Sequence, residues 1–165
     1  MNKLHLSLIL CLLAPTSAWA LKSDTKQPVY IDSDTQQLDM QKNQVIFEGN
    51  VKLTQGTIKI NANKVVVYRD GKTGEMTRVI GYGSPTDFQQ KGDDGKMLKG
   101  KGNTLDYKVK EDTITITTNA ELQQGKSIIK GSSIVYTIGT QNLKANSSEG
   151  KRVSTVLIPN ELQGN

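Results

Sequence analysis

The chain has 165 residues, of which 35% are hydrophobic, with 21 Lys and Arg against 16 Asp and Glu. This length predicts one domain with a sizeable core. Its single Cys, His and Trp are Cys11, His5 and Trp19, all within the first twenty residues. If that segment is removed, the rest of the chain lacks thiol, imidazole and indole groups. This excludes cysteine nucleophiles, histidine-based triads, zinc or iron sites built on Cys or His, and disulfide bonds.

Residues 1–20 have the pattern of a secretory signal peptide. Lys3 supplies the positive n-region, Leu4 to Leu13 is an apolar run, and Ala18 to Ala20 is a small-x-small cleavage site. The run is shorter than the ~20 residues that cross a bilayer, which disfavours an uncleaved anchor. Cys11 follows a leucine where lipidation needs a small residue, which disfavours a lipoprotein.

Cleavage after Ala20 leaves one expected domain, over residues 21–165, and predicts an exported protein. Because Lys3 leaves with the signal, the net charge falls to about +4, and no basic run of five residues is present. Two interpretations stay open, a solvated surface and attraction to an anionic ligand or membrane. Nucleic acid is a poor candidate, since no basic stripe carries interleaved aromatics.

The dominant pattern along the chain is short β-type alternation interrupted by Gly, Asn and Asp. Thr113 to Thr117 shows it most clearly, with threonines on one face and isoleucines on the other. Turn-forming residues separate such runs at intervals of about ten residues. No segment has apolar residues at the spacing of an amphipathic helix. The pattern predicts an all-β, antiparallel sandwich, barrel or jelly roll.

An internal repeat indicates a duplicated β-unit. Leu38 to Met40 is echoed by Leu105 to Tyr107, and Asn50 to Gly56 by Asn119 to Gly125, at offsets of roughly 67 to 69 residues. Stacking two such units would bury faces that neither covers alone. The segment from Asp70 to Gly102, rich in Gly and Lys, is interpreted as the link between halves, with a hairpin loop over Lys91 to Gly102.

The acidic pairs and the glycine pairs carry little catalytic signal. Asp32/Asp34 and Asp93/Asp94 lie outside any calcium-loop pattern, so turn formation is the favoured interpretation. Gly81-Tyr82-Gly83 and Gly100-Lys101-Gly102 lack the context of a phosphate-binding loop, and we interpret both as bends. No ATP site, metal or cofactor is predicted.

The apolar strand faces allow two interpretations. Many strands carry one apolar face, yet the bulky aromatics are few, with two Phe and five Tyr. An ordinary packed core explains this pattern, and so does an interior left partly open to acyl chains. Composition alone does not decide between them.

Several segments of the sequence together match the pattern of one known protein family. They are Gln27 to Asp34, Leu38 to Met40, Phe47 to Val51, Gln55 to Ala62, Lys64 to Val67, Gly81 to Gly83, Pro85, Phe88, Gly150 to Val153 and Thr155 to Leu157. With these segments the chain resembles the OstA-like family of periplasmic lipopolysaccharide export proteins. The resemblance covers nearly all of the expected mature chain and departs mainly at Thr73 to Thr77, in the Lys91 to Gly102 loop and in the C-terminal tail.

The resemblance implies a slightly twisted antiparallel jelly roll whose apolar interior accepts the acyl chains of lipid A. It implies no enzymatic activity, with the driving force supplied by a separate ATPase. Positions that match the family's interior are Val29, Ile31, Leu38, Phe88, Tyr107 and Val109. Arg69 matches a place near the groove mouth, where it would pair with a lipid A phosphate. An exposed turn residue beside Asp70 explains Arg69 equally well.

The resemblance also implies partners, namely LptC at the inner membrane, LptD at the outer membrane and further copies of this chain stacked head to tail. Unclosed sheets leave edges that pair with other chains, and heterologous pairing extends without closing. We expect the two edges at residues Val29, Tyr30, Ile31, Val153, Thr155, Val156 and Leu157. A carboxylate-only glycosidase and a structural adaptor with a filled core are the alternatives.

Overall fold

The computed structural model describes Asp24, residues 26–92 and residues 94–158. The signal peptide predicted over residues 1–20 lies outside these described residues, as does Asp93. The all-β class predicted from the sequence is confirmed, and none of the described residues forms a helix long and apolar enough to cross a membrane. The strands are β1 Val29–Asp32, β2 Thr35–Asp39, β3 Gln44–Gln55, β4 Ile58–Arg69, β5 Met76–Lys91, β6 Met97–Lys108, β7 Thr113–Gln124, β8 Ser127–Thr137, β9 Asn142–Asn146 and β10 Ser154–Val156.

These strands form one antiparallel, unclosed sheet with the order β1-β3-β4-β5-β6-β7-β8-β10. β2 also pairs with β3, and β9 also pairs with β8. One edge of the sheet therefore carries β1 and β2, and the opposite edge carries β9 and β10. Hairpins connect β3 to β8 in sequence, which is why the sheet order follows the chain. The finer description as a jelly roll stays a prediction.

The six long strands, β3 to β8, are interrupted near their middle along what we call the fold line. Register shifts fall between Glu48/Val51, Asn61/Lys64, Tyr82/Thr86, Lys101/Thr104 and Thr117/Ala120. Bulges of this kind bend a strand and increase its twist. We call residues 44–48, 64–69, 76–82, 104–108, 113–117 and 133–137 the first half-sheet, and residues 51–55, 58–61, 86–91, 97–102, 120–124 and 127–131 the second half-sheet.

The two half-sheets pack face to face on one apolar core. Ile116 of the first half-sheet lies over Gly100 of the second, where an added Cβ would stand 2.6 Å from Ile116 Cδ1. The predicted alternation on β7 is confirmed, because Ile114 and Ile116 are buried between half-buried threonines. Buried members of the core cluster come from both half-sheets, among them Leu53, Ile58, Val65, Val79, Phe88, Leu122 and Ile134.

Gly102 lies on the fold line at a place without room for a side chain. An added Cβ would collide with Ile116 Cγ2 and stand 3.0 Å from the Thr117 carbonyl oxygen. Because Ile116 is β-branched and 1% exposed, it has little freedom to move away. We expect Gly102→Ala to lower the free energy of unfolding by about 1–3 kcal/mol, measured by urea titration. Lys101→Ala, at an exposed neighbouring position, should change it by less than about 0.5 kcal/mol. Equal stability of the two variants would contradict this packing.

The internal repeat reappears in the backbone geometry. Asn43 and Asp112 have φ values of 49° and 50°, and Asn50 and Asn119 have 47° and 57°. Gly56 and Gly125, at the tips of the β3–β4 and β7–β8 hairpins, both have φ of 59°. Such left-handed positions favour Gly and Asn, which explains why these residues punctuate both halves. The β3–β4 and β7–β8 hairpins are therefore equivalent units.

The predicted link from Asp70 to Gly102 is wrong in its extent. β5 is the longest strand and lies in the middle of the sheet, and β6 already begins at Met97. Within the hairpin loop predicted over Lys91 to Gly102, only residues 92 and 94–96 of the described chain lie outside the strands. Two glycines that suggested a loop, Gly100 and Gly102, lie in β6 near the fold line, where Ile116 of the other half-sheet approaches closely. Lys99 and Lys101 are exposed.

Candidate functional site

An apolar slot lies between the half-sheets, near the strand ends that face away from the fold line. Its volume is about 10 Å³, which is room for about one water molecule, so the interior is packed in this state. The lining comes from both half-sheets, namely Val29, Leu53, Gln55, Ile58, Ile60, Met76, Val79, Tyr107, Ile114 and Ile138. Acyl chains would enter here only if the two half-sheets moved apart.

Two of the predicted lipid-binding residues, Val29 and Tyr107, line this slot together. Val29 is a half-buried residue of β1 that packs against the core, and Tyr107 is 5% exposed on β6. Burial raises the pKa of Tyr107 to about 12, with a smaller contribution from the Asp112 carboxylate. The ring is therefore a neutral, apolar part of the wall.

Three more predicted residues belong to the core outside the slot. Phe88 on β5 is 2% exposed, and Ile31 and Val109 are half-buried residues that pack against the same cluster. Phe88 packs over its register partner Gly100, where an added Cβ would lie 3.3 Å from Phe88 Cδ1.

The structure places Leu38 and Arg69 outside the core and close to each other. Leu38 on β2 is 52% exposed, and both residues line a separate surface pocket of about 310 Å³ at the β4–β5 turn. Arg69 Nε donates to the Gly74 carbonyl oxygen at 3.0 Å. In the sheet register Arg69 is paired with Met76, which lines the slot. Arg69 is thus a turn residue whose register partner lines the slot.

Two carboxylates share that surface pocket with Arg69. Backbone hydrogen bonds, above all from the Lys42 N–H, lower the pKa of Asp39, and those from Thr73 and Lys72 lower the pKa of Asp70. Both groups are therefore ionised at neutral pH and serve the turns that they cap. Their negative charge offsets part of the attraction that Arg69 would exert on a phosphate.

Exposed apolar side chains lie at both edges of the sheet. Tyr30 on β1 is 67% exposed, and at the other edge Val156 and Leu157 are 53% exposed and Val153 is 38% exposed. β1 pairs only with β3, and β10 only with β8. Each edge therefore presents one side with backbone groups that have no strand partner in the described chain.

Comparison with known proteins shows to which family this chain belongs. Residues 30–142 match the family described as LptA/(LptD N-terminal domain) LPS transport protein. The chain belongs to this family. The expected resemblance is thereby confirmed, and the matched region runs from β1 to the start of β9.

Curated relatives and a solved structure agree with this assignment. The chain is 48% identical to the lipopolysaccharide export system protein LptA of Escherichia coli K12, with 98% of this chain and 89% of that protein covered. It is also 48% identical to LptA of Haemophilus influenzae, with 98% and 94% covered. The crystal structure of LptH, the LptA homologous periplasmic component of the lipopolysaccharide transport device of Pseudomonas aeruginosa, superposes with a TM-score of 0.76 at 26% identity. That superposition covers 83% of this chain and 99% of LptH.

Membership in the LptA family makes this chain a transport component and not an enzyme. The acidic pair Asp32/Asp34, weighed from the sequence as a calcium or acid-base site, is consistent with a turn. Asp34 accepts a hydrogen bond from Asn50 Nδ2 at 2.9 Å, and its N–H donates to the Gly49 carbonyl oxygen at 3.0 Å. These bonds fix the bend between β1 and β2.

Sequence reasoning missed a buried polar cluster that attaches the segment before β1 to the sheet. Asp24 is 4% exposed, and its carboxylate accepts hydrogen bonds from Thr57 N at 2.8 Å, from Thr57 Oγ1 at 2.5 Å and from Gln90 Nε2 at 3.2 Å. Gln55 Nε2 donates to the Gln27 carbonyl oxygen at 3.1 Å. No local motif marks these residues, because Asp24 and Gln90 are far apart in the sequence. The cluster holds the segment that leads into β1.

Proposed function

We propose that this chain binds lipopolysaccharide through its lipid A part between the two half-sheets and relays it across the periplasm. In this proposal it connects LptC at the inner membrane with LptD at the outer membrane. The observation that carries the proposal is an apolar slot, shared by two opposed half-sheets, in a chain of the LptA family. Burial of acyl methylenes would drive binding, at about 0.8 kcal/mol for each.

The slot implies how the ligand would enter. The half-sheets are continuous through the fold line, whereas their strand ends on the other side meet only through side chains such as Met76, Val79 and Ile58. Opening at this side breaks apolar contacts but no strand pairing. The acyl chains would replace those contacts, which keeps the net affinity moderate enough for onward transfer.

Arg69 supports the orientation of the ligand in this proposal. Its register partner Met76 lines the slot, so a lipid whose acyl chains occupy the slot has its head group near this guanidinium. A bidentate contact with a phosphate is the interaction for which a guanidinium is best suited. Leu38 would add apolar contact at the same place, since it shares the surface pocket with Arg69.

Titration of the purified mature protein with lipopolysaccharide tests the proposal. We expect a complex of fixed stoichiometry, competition by lipid A, and no competition by the de-acylated saccharide. The packed interior favours one other function, a structural adaptor that binds partner proteins but no lipid. Absence of lipid binding, or equal binding of the de-acylated saccharide, would favour that adaptor.

A further inference from the structure

Both edges of the sheet have the same bent form. β1 pairs with residues 52–55 and β10 with residues 128–130, which belong to the second half-sheet. β2 pairs with residues 44–48 and β9 with residues 133–137, which belong to the first half-sheet. Each edge is therefore one bent strand in two pieces, and its two pieces meet at the fold line.

The strand directions make the two edges complementary. Neighbours alternate in direction along the eight-strand path from β1 to β10, so β1 and β10 run in opposite directions. If a second copy follows in the same orientation, its β1 lies antiparallel to β10 and its β2 antiparallel to β9. This arrangement continues both half-sheets and places residues 33–34 of the second copy opposite residues 147–153 of the first.

The charges at this meeting point are opposite. Lys151 and Arg152 are exposed at a polar cavity of about 570 Å³ beside the C-terminal edge. Neither has an ion pair within the described residues, whereas Lys130 in the same cavity pairs with Glu121 at 3.0 Å. At the other edge Asp32 and Asp34 are exposed.

The acidic residues at the N-terminal edge are also available for ion pairs with another copy. No salt bridge of Asp32 is present in the described part of the chain, although Lys52 lies across from it on β3. Asp34 is held in place by Asn50. Within residues 147–153, which would face residues 33–34 of the next copy, the one acidic side chain is the exposed Glu149.

We propose that Lys151 and Arg152 of one copy bind Asp32 and Asp34 of the next copy, and that these ion pairs give the assembly its direction. The proposal rests on the head-to-tail stacking expected for this chain. Antiparallel edge pairing by itself also permits two N-terminal or two C-terminal edges to meet. Those contacts bring like charges together at the fold line, so electrostatics selects the head-to-tail contact.

A charge-swap experiment tests this on the full mature chain. The acidic variant carries Lys151→Glu and Arg152→Glu, and the basic variant carries Asp32→Lys, which leaves the Asp34–Asn50 bond intact. The acidic variant alone places carboxylates on both sides of every head-to-tail contact. The basic variant alone places a lysine at position 32 opposite Lys151 and Arg152, and only Asp34 is left to attract them. In a one-to-one mixture the lysine at position 32 faces the two introduced glutamates, and the alternate contacts keep the native charges. The control variant carries Lys99→Glu and Lys101→Glu, on the exposed face of the central strand β6.

Native mass spectrometry over a concentration series gives the readout, because the two variants differ in mass. At low salt we expect wild type and control to assemble alike, each single variant to need at least about tenfold higher concentration, and the mixture to give alternating oligomers. If wild type forms open oligomers and the single variants form them equally well, the proposed ion pairs are contradicted, but the stacking is not. The same holds if the mixture forms no more oligomer than either variant by itself. A wild type that stays monomeric would overturn the stacking itself, and neither result depends on lipid binding.

Discussion

Phe88→Asp should unfold the protein, whereas Leu38→Asp should leave it folded and weaken lipopolysaccharide binding. Phe88 is 2% exposed, so the substitution buries a charge and leaves a large cavity, which costs at least about 3–5 kcal/mol. Leu38 is 52% exposed, so a carboxylate there reaches water and the free energy of unfolding should change by less than about 1 kcal/mol. The same carboxylate repels lipid phosphate and removes apolar contact beside Arg69, which should weaken binding roughly tenfold.

Circular dichroism during urea titration and lipopolysaccharide titration of the same samples separate these effects. Tyr82→Asp is the matched control, since Tyr82 is 40% exposed on the opposite face of the sheet, next to the fold line. It should keep both stability and lipid affinity. A folded, stable Phe88→Asp protein would show that the interior admits water, and would contradict the packed core. If Leu38→Asp binds lipopolysaccharide as tightly as wild type, the ligand does not contact the surface beside the β4–β5 turn.

The strands could be predicted from the sequence because the two-residue alternation of apolar and polar side chains matches the alternation of buried and exposed positions within a single strand. Ile114 and Ile116 alternate with threonines, and both are buried, so local pattern and tertiary position agree. The repeat was predictable for a similar reason, since Gly56 and Gly125 occupy equivalent left-handed positions that few other residues tolerate. Family membership followed from segments of this kind.

The fold line was not predictable from the residues, and this caused the error over Asp70 to Gly102. A glycine in the sequence is compatible both with a loop and with a strand position that another segment approaches closely. Only the tertiary structure shows that Ile116 of the other half-sheet covers Gly100 and Gly102. The placement of Leu38 has a related cause. Its strand β2 lies at an edge, so an apolar alternation there does not require burial.

Removal of β10 should abolish assembly while the central sheet stays folded. β10 is a three-residue strand whose side chains are exposed, and it pairs only with residues 128–130 of β8. A chain that ends at Arg152 therefore loses few intramolecular contacts but loses the β10 part of the C-terminal edge, while β9 stays in place. It keeps Lys151 and Arg152, so this test is independent of the charge swap. We expect wild type to give a ladder of open oligomers in native mass spectrometry and this variant to be mostly monomeric.

Single prolines refine the test, because alternate residues of an edge strand direct their N–H groups inward and outward. Thr155→Pro and Val156→Pro each remove one donor, so one of them removes a bond to β8 and the other removes a bond offered to the next copy. The variant that lacks the outward donor should keep the wild-type unfolding temperature, and the dissociation constant between its copies should still rise at least about tenfold.

A chain that ends at Ile158 is the control for truncation. It keeps β10 and the Ile158 N–H bond to Ser127 Oγ, 3.1 Å long, and should assemble like wild type. If wild type instead forms one closed dimer, insensitive to all these changes, assembly does not use the C-terminal edge.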